Sequence, residues 1–345
     1  MRLNFKQFTL RKIVLFLIFF LLVFLLYSVR GILLPFILAI IIAYVLNPFV
    51  EKLEQYKIRR IFGIIIVYIA VFGILLVAGY YGFPVIIKQI TSLGETIPTY
   101  TSQIQQILNS FYRNYKNFSI PVSLRESIDR NLLVIQKTII SHLSSVVSIL
   151  FGIFSRIFSI IVAPILAFYL LKDKEEICQI IVKTIPLSNR SELLQLWEEI
   201  DTVLTKFIRG HLTVAFIVGA GTAVGLSIIG MDYPLLLGII TGLTNIIPYF
   251  GPIIGGIPAV LLALLKSQTL AFYVIIVIVV VQQLESNFIS PRVLGSSVGL
   301  HPLLVIFVLL AGGEIWGIVG MLVAVPLTAV LKILIVYIFA KVTSN

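Results

Sequence analysis

Apolar and polar positions fall along this chain in long blocks rather than in short periods. Apolar runs cover 13–29, 32–46, 61–83, 147–171, 208–230, 235–265, 269–285 and 301–340, with polar or amphipathic stretches between them. A helix needs roughly 20 apolar residues to cross a hydrocarbon core about 30 Å thick. The pattern therefore predicts an all-α, polytopic membrane helix bundle of about eight spans, counting each broken region as one crossing. Pro35 is tolerable in the short second run because it falls in the first turn.

The run 235–265 carries no charge, yet Pro248, Gly251, Pro252, Gly255, Gly256 and Pro258 interrupt it. Proline removes a backbone donor and clashes with the preceding turn, so two half-helices with a break between them are expected. Backbone groups freed at membrane depth persist only where protein or a water-filled cavity satisfies them. Interrupted apolar segments are for that reason pointers to a transport site. A simple kinked span or a short external loop is the blander alternative. The last run is also interrupted, at Gly312-Gly313-Glu314. If either break is a re-entrant hairpin, the span count and the side of the C-terminus change.

The polar blocks suggest the domain plan. Residues 1–83 read as N-terminal transmembrane helices and 84–146 as an extracytoplasmic helical insertion. Within the insertion Ile104, Ile107, Leu108 and Phe111 repeat at helical spacing, as do Leu124, Ile128, Leu132, Ile135 and Ile139. A span follows at 147–171, with Arg156 inside it, expected to snorkel, pair or face the bundle. Segment 172–207 reads as a cytoplasmic amphipathic helix with Leu193, Leu196, Trp197, Ile200, Val203, Leu204 and Phe207 on one face. Residues 208–345 form the C-terminal core. Arg2, Lys6, Arg11 and Lys12 precede the first run, and Lys52, Lys57, Arg59 and Arg60 fill the 47–60 loop. Positive residues mark cytoplasmic loops, which places the N-terminus in the cytoplasm. No small-x-small site follows 13–29, so that run is expected to remain as an uncleaved helix.

Composition narrows the function classes. Hydrophobic residues make up 59% of the chain, charged residues 12%, and the mean hydropathy is +1.09. A formal charge of +11 would suggest nucleic acid in a soluble protein, but here the bases flank apolar runs and membrane topology accounts for them. No nucleic-acid partner is expected. The single cysteine, Cys178, leaves no intrachain disulfide and no partner for a thiolate metal site. HExxH, P-loop and paired-aspartate motifs are absent. Gly295-Ser296-Ser297-Val298-Gly299 matches G-x-S-x-G with His301 close by, but a nucleophile elbow needs an α/β sheet that nothing here offers. The expectation is a non-enzyme without cofactor.

Sixteen of the 23 glycines lie after residue 206. They include small-xxx-small pairs at Gly221/Gly225, Gly238/Gly242, Gly251/Gly255 and Gly313/Gly317, which permit close helix approach. The working part is thus expected in the second half. Candidate binding residues are Asn245, Pro248, Tyr249, Gly251 and Pro252 at the break, and Gln282, Glu285, Asn287 and Arg292 at the end of the seventh span. A carboxylate near the hydrocarbon region is a functional candidate by default, and Arg292 is its nearest basic partner in sequence. A structural ion pair at the interface is the competing explanation. Asn245 could coordinate a polar group or cap a half-helix. Glu314 has the same two readings as Glu285, and Asp232 beside Tyr233-Pro234 suits turn chemistry.

Several motifs in order carry a resemblance: Pro164-Ile165-Leu166-Ala167-Phe168-Tyr169-Leu170-Leu171-Lys172-Asp173, Asn245-Ile246-Ile247-Pro248-Tyr249-Phe250-Gly251-Pro252, Gln282…Glu285…Asn287…Ile289…Pro291, Val298-Gly299-Leu300-His301-Pro302, and Gly317…Gly320-Met321-Leu322-Val323-Ala324-Val325-Pro326-Leu327. The chain resembles the bacterial autoinducer-2 exporter family over nearly its whole length, most strongly from 160 to 330. The resemblance implies a bacterial plasma-membrane protein of about eight spans. It also implies export of the furanone signal autoinducer-2, sodium/proton antiport, or a role in sporulation, according to the member.

The leading expectation is a secondary transporter, its site at the 245–256 break and lined from the 282–292 cluster. Its partners would be the bilayer and a small solute or Na+/H+, and homo-oligomers are possible. An oligomeric channel, or a non-transporting scaffold presenting the 84–146 insertion, are the alternatives. Antiport requires a titratable intramembrane carboxylate, for which Glu285 is the candidate.

Overall fold

The computed structural model describes residues 33–116, 130, 134, 157–184, 190–294 and 299–343. The first apolar run, Arg156, the second half of the 84–146 insertion and the Gly295–Val298 part of the G-x-S-x-G match lie outside these residues. Among the described residues every regular element is helical.

The chain divides into two units, 1–64 with 156–177, and 65–155 with 178–345. In the first, α1 (Leu33–Gln55) packs on α3 (Ile157–Lys172). Small side chains allow the approach: Ala39 on α1 and Ala163 and Ala167 on α3 are buried, spaced one helical turn apart on α3. Arg60, the first residue of α2 (Arg60–Lys116), ties the polar end together. Its Nε donates to the Leu171 carbonyl at 2.6 Å, Nη1 to Glu54 at 2.8 Å and Nη2 to Asn47 Oδ1 at 3.2 Å. A helix C-terminus leaves carbonyls without partners, and a guanidinium fork satisfies one here while pairing a carboxylate. Lys174, opening α4 (Lys174–Thr184), pairs with Glu51 at 2.9 Å.

In the second unit, α2 continues without interruption to Lys116, through the expected boundary at 83. Its 57 residues extend roughly 86 Å, and only Arg60–Leu93 is apolar enough to cross a membrane. Likewise α5 (Arg190–Ile228) joins the charged stretch 190–206 to the following apolar run as one helix. Among the described residues five helical stretches could, by length and composition, cross a membrane: Leu33–Gln55, Arg60–Leu93, Arg190–Ile228, Gln268–Val293 and Pro302–Thr343.

The broken regions decide the topology. α6 (Pro234–Thr244) and α7 (Gly251–Lys266) have 11 and 16 residues, about 16 and 24 Å, each short of the hydrocarbon thickness. They run antiparallel. The Thr241 hydroxyl donates to the Gly255 carbonyl at 3.3 Å, a Cβ on Gly251 would collide with the Thr244 carbonyl, and Lys266 meets Asp232 at 3.1 Å. Region 234–266 is therefore a helical hairpin, hairpin A, with its tip at 245–250 and both ends on one side. α8 (Gln268–Leu284) follows, then a π-helical turn at Glu285–Ile289 and the short α9 (Ser290–Val293).

The 42-residue α10 (Pro302–Thr343) also reverses. Gly317 has φ 61° and ψ −140°, and a Cβ on Gly312 would lie 2.6 Å from the Gly320 carbonyl oxygen. In a straight helix these residues would be about 12 Å apart along the axis. Stretches 302–316 and 318–343 thus form hairpin B. The reversal is at Gly317, three residues beyond the expected interruption, because φ 61° combined with ψ −140° is a region open in practice only to a residue without Cβ. Neither broken region is the single crossing on which the count of eight was based.

Glycines set the packing around α5. Gly238 and Gly242 of α6 abut Gly219 and Ala223 of α5, and Gly221 and Gly225 on α5 face Val281 and Val277 of α8. These pairings make α6 and α8 antiparallel to α5, so the tip of hairpin A points toward the charged end of α5. Lys341 near the end of hairpin B pairs with Glu192 at 2.9 Å, which puts the base of hairpin B at that same end. The two hairpins are oppositely directed, each preceded by a long helix, and those helices are themselves antiparallel.

Candidate functional site

The break in hairpin A has identifiable causes. Pro248 and Pro252 withhold backbone donors, and the Phe250 N–H turns back to the Pro248 carbonyl at 2.7 Å across Tyr249, whose φ is 65°. A three-residue turn with positive φ at a non-glycine residue is strained, and such strain is held only where the surroundings enforce it. Asn245, just before the turn, is 7% exposed.

Across from this tip, α8 ends in the π-helical turn. The Ser290 N–H bonds to the Glu285 carbonyl five residues back. Pro291 explains the wider turn, since in a regular helix its ring would strike the carbonyl four residues earlier. The Glu285 carboxylate accepts hydrogen bonds from Gln282 Nε2, from Ser290 Oγ and, at 3.3 Å, from Ser286 Oγ.

Tip and turn face one cleft of about 690 Å³. Asn245, Pro248, Tyr249, Pro252, Gln282 and Glu285 line it, six of the nine residues the sequence nominated. Gly251 lies behind the lining, packed on Thr244 and Asn245. Asn287 is exposed and bonds back to Gln283 at 3.0 Å, and Arg292 is exposed, neither lining the cleft. The partners of Glu285 are amide and hydroxyl donors on its own turn, not Arg292.

Sequence reasoning missed His211, Ser286, Ser290 and the hydrophobic wall of Phe207, Val214, Val305 and Val325. His211 Nδ1 lies 3.1 Å from the Phe207 carbonyl, and the two rings stack at 4.1 Å. A carbonyl can only accept, so Nδ1 donates and Nε2 is left to face other groups. The Phe207/His211 spacing of one turn was the available signal. Among the described residues no lysine or arginine lines the cleft, and no three His, Cys, Asp or Glu side chains gather as a metal site. The cleft can accept hydrogen bonds at Glu285 and both give and accept them at Asn245. Its position beside 207–214 of α5 puts it at the polar boundary of the α5 apolar run rather than at its middle.

The base of hairpin A is held separately. The Gln89 side chain of α2 accepts from the Leu236 N–H at 2.9 Å, and the Tyr233 hydroxyl meets Ser92 at 3.3 Å. The beginning of the predicted insertion is thus part of the support for hairpin A.

Long apolar helices, two opposed hairpins and a cleft with polar side chains at the tip of one of them mark a multi-pass membrane protein. The chain belongs to the AI-2E transporter family: the family described as AI-2E family transporter matches residues 14–340. YrrI of Bacillus subtilis (strain 168) is 34% identical over 90% of this chain and 87% of its own length. YueF of the same strain is 35% identical over 86% of this chain and 82% of its own, and both are provisionally named transport proteins. The AI-2 transport protein TqsA of Escherichia coli (strain K12) is 25% identical over 88% of this chain and 85% of its own.

Proposed function

We propose that this chain is a secondary transporter of the bacterial plasma membrane whose cargo is held in the cleft between Asn245 and Glu285. One observation carries the reading: Asn245, at a strained, unwound hairpin tip, lines the same cleft as the Glu285 carboxylate. Interrupted apolar helices whose broken ends line a cavity are elements on which secondary transporters build such sites.

The cargo is a small polar solute such as autoinducer-2, as the name of the relative TqsA suggests, or a cation exchanged for protons at Glu285. The N-terminus is cytoplasmic by its positive residues. On that orientation the charged end of α5 and the base of hairpin B face the cytoplasm and the base of hairpin A faces outward.

Reconstituted full-length protein should carry autoinducer-2, or sodium or lithium against an imposed proton gradient, without discrete conductance steps. Asn245→Leu and Glu285→Gln should each abolish that flux. Stepwise single-channel currents would favour a pore. Proton-driven flux unchanged by Glu285→Gln would remove Glu285 from the mechanism.

A further inference from the structure

Beside the cleft, on the charged side of the base of hairpin B, lies a second cavity of about 500 Å³. The transport reading makes no use of it. Its walls are the charged stretch of α5, through Glu192, Gln195 and Glu199, and the end of hairpin B, through Lys332 and Tyr337. Glu192 is already engaged by Lys341 at 2.9 Å and Tyr337 at 3.0 Å. Glu199 and Lys332 are exposed and of opposite sign.

One residue, Gly299, lines both cavities. The partition it forms is held from the second cavity, where Lys332 Nζ donates to the Gly299 carbonyl at 2.6 Å across 33 positions of chain. Gly299 has φ 56°, and a Cβ there would sit 3.0 Å from that same Nζ. The contact is one hydrogen bond at the end of a long, exposed, flexible side chain, so a rotamer change is enough to release it. Backbone without a Cβ at this point lets the partition shift without a side chain blocking either cavity.

We propose that the second cavity is the aqueous antechamber of the cleft, and that the Lys332–Gly299 hydrogen bond latches the partition between them. Small polar solutes pass between water and the cleft by this route when the latch is released. The mixed sign of the lining repels neither cations nor anions strongly, which leaves selection to Asn245 and Glu285. The inference rests on the cleft being the cargo site, but its test needs no cargo.

The full-length chain carries a single cysteine, so Cys178→Ser provides a background free of thiols. In that background Ser286→Cys reports from the cleft and Gln268→Cys, at the exposed start of α8, serves as a control. The rate of modification by a small water-soluble methanethiosulfonate is measured on purified protein. Adding Lys332→Met should raise the rate at Ser286→Cys about fivefold, the factor expected for loss of one hydrogen bond of ordinary strength. Gln195→Trp, which fills the antechamber, should lower that rate by a similar factor, and neither change should alter the rate at Gln268→Cys. The proposal fails if either variant leaves the Ser286→Cys rate unchanged, or if the control rate moves in parallel. Failure here with flux still abolished by Glu285→Gln would discard the antechamber and keep the transporter. Loss of both would discard both.

Discussion

The carboxylate of Asp232 lies 3.1 Å from the ammonium of Lys266, 34 positions further along the chain. The two ends of the interrupted apolar segment therefore emerge side by side. A continuous helix would hold them about 50 Å apart. Both side chains are 47% exposed, so the pair contributes at most about 1 kcal/mol. It marks the hairpin more than it stabilises it.

Cross-linking tests this directly. In the Cys178→Ser background, Asp232→Cys with Lys266→Cys should be joined in high yield by a short bismaleimide within one chain. No intrachain product would mean that the segment crosses the membrane once. The single substitution Asp232→Asn should change thermal stability by less than about 1 kcal/mol.

The glycines divide by what a methyl group would meet. A Cβ at Gly238 would lie 2.6 Å from both the Ala223 Cβ and the Gly219 carbonyl, whereas one at Gly73 would meet nothing within 4 Å. Gly238→Ala should destabilise by about 1–3 kcal/mol through overpacking. Gly73→Ala, in the interior of α2, should be neutral or stabilise by about 0.5–1 kcal/mol. Thermal unfolding in detergent reads both, and equal losses would refute the packing assigned to α5 and α6.

Gly317 has a conformational role rather than a packing one. Its φ of 61° with ψ −140° is nearly closed to other residues, although space around it is open. Gly317→Ala should cost about 1–3 kcal/mol from backbone strain alone. A substitution without effect on unfolding would argue that the chain does not reverse there.

The cleft separates the nominated residues into two groups. Asn245→Leu and Glu285→Gln should lower flux into proteoliposomes at least tenfold, which corresponds to about 1.4 kcal/mol. Asn287→Ala and Arg292→Gln, outside the lining, should stay within about twofold, a difference under ~0.5 kcal/mol. If Arg292→Gln proved as damaging as Glu285→Gln, the carboxylate would be working with a charge partner that this arrangement does not give it.

Arg60 offers a check on the first unit. Its side chain is 15% exposed and reaches a carbonyl, a carboxylate and an amide. Arg60→Met should destabilise by about 1–3 kcal/mol, chiefly by leaving the Leu171 carbonyl and Glu54 without their donor. A matching loss in Glu54→Gln alone, with additivity in the double variant, would show that the pair is not coupled.

Much of the cleft lining was legible because proline and glycine act locally. Pro248 and Pro252 break a helix wherever they stand, and Asn245 and Tyr249 beside them were nominated on that ground. Pro291 was equally visible, but its consequence, the π-helical turn that gathers Gln282 and Ser290 around Glu285, depends on how a strained turn relaxes. Arg292 was nominated by nearness in sequence; seven residues along a regular α-helix share a face, but the π-helical turn at Glu285–Ile289 shifts that register. His211 and Ser290 carried no local signal strong enough to stand out.

The chain's own pattern determined that this is an all-helical membrane protein, because burial of apolar blocks and helix breaking are properties of short stretches. Only the tertiary structure decided that both breaks turn back on themselves and that the hairpins are opposed. It also decided that Glu285 faces Asn245 across a cleft at the polar end of α5. Those outcomes depend on which glycine meets which backbone across 8 to 30 or more positions, as Gly312 does with Gly320 and Gly219 with Gly242. Contacts of that range arise from packing the whole chain at once, and no local spacing encodes them.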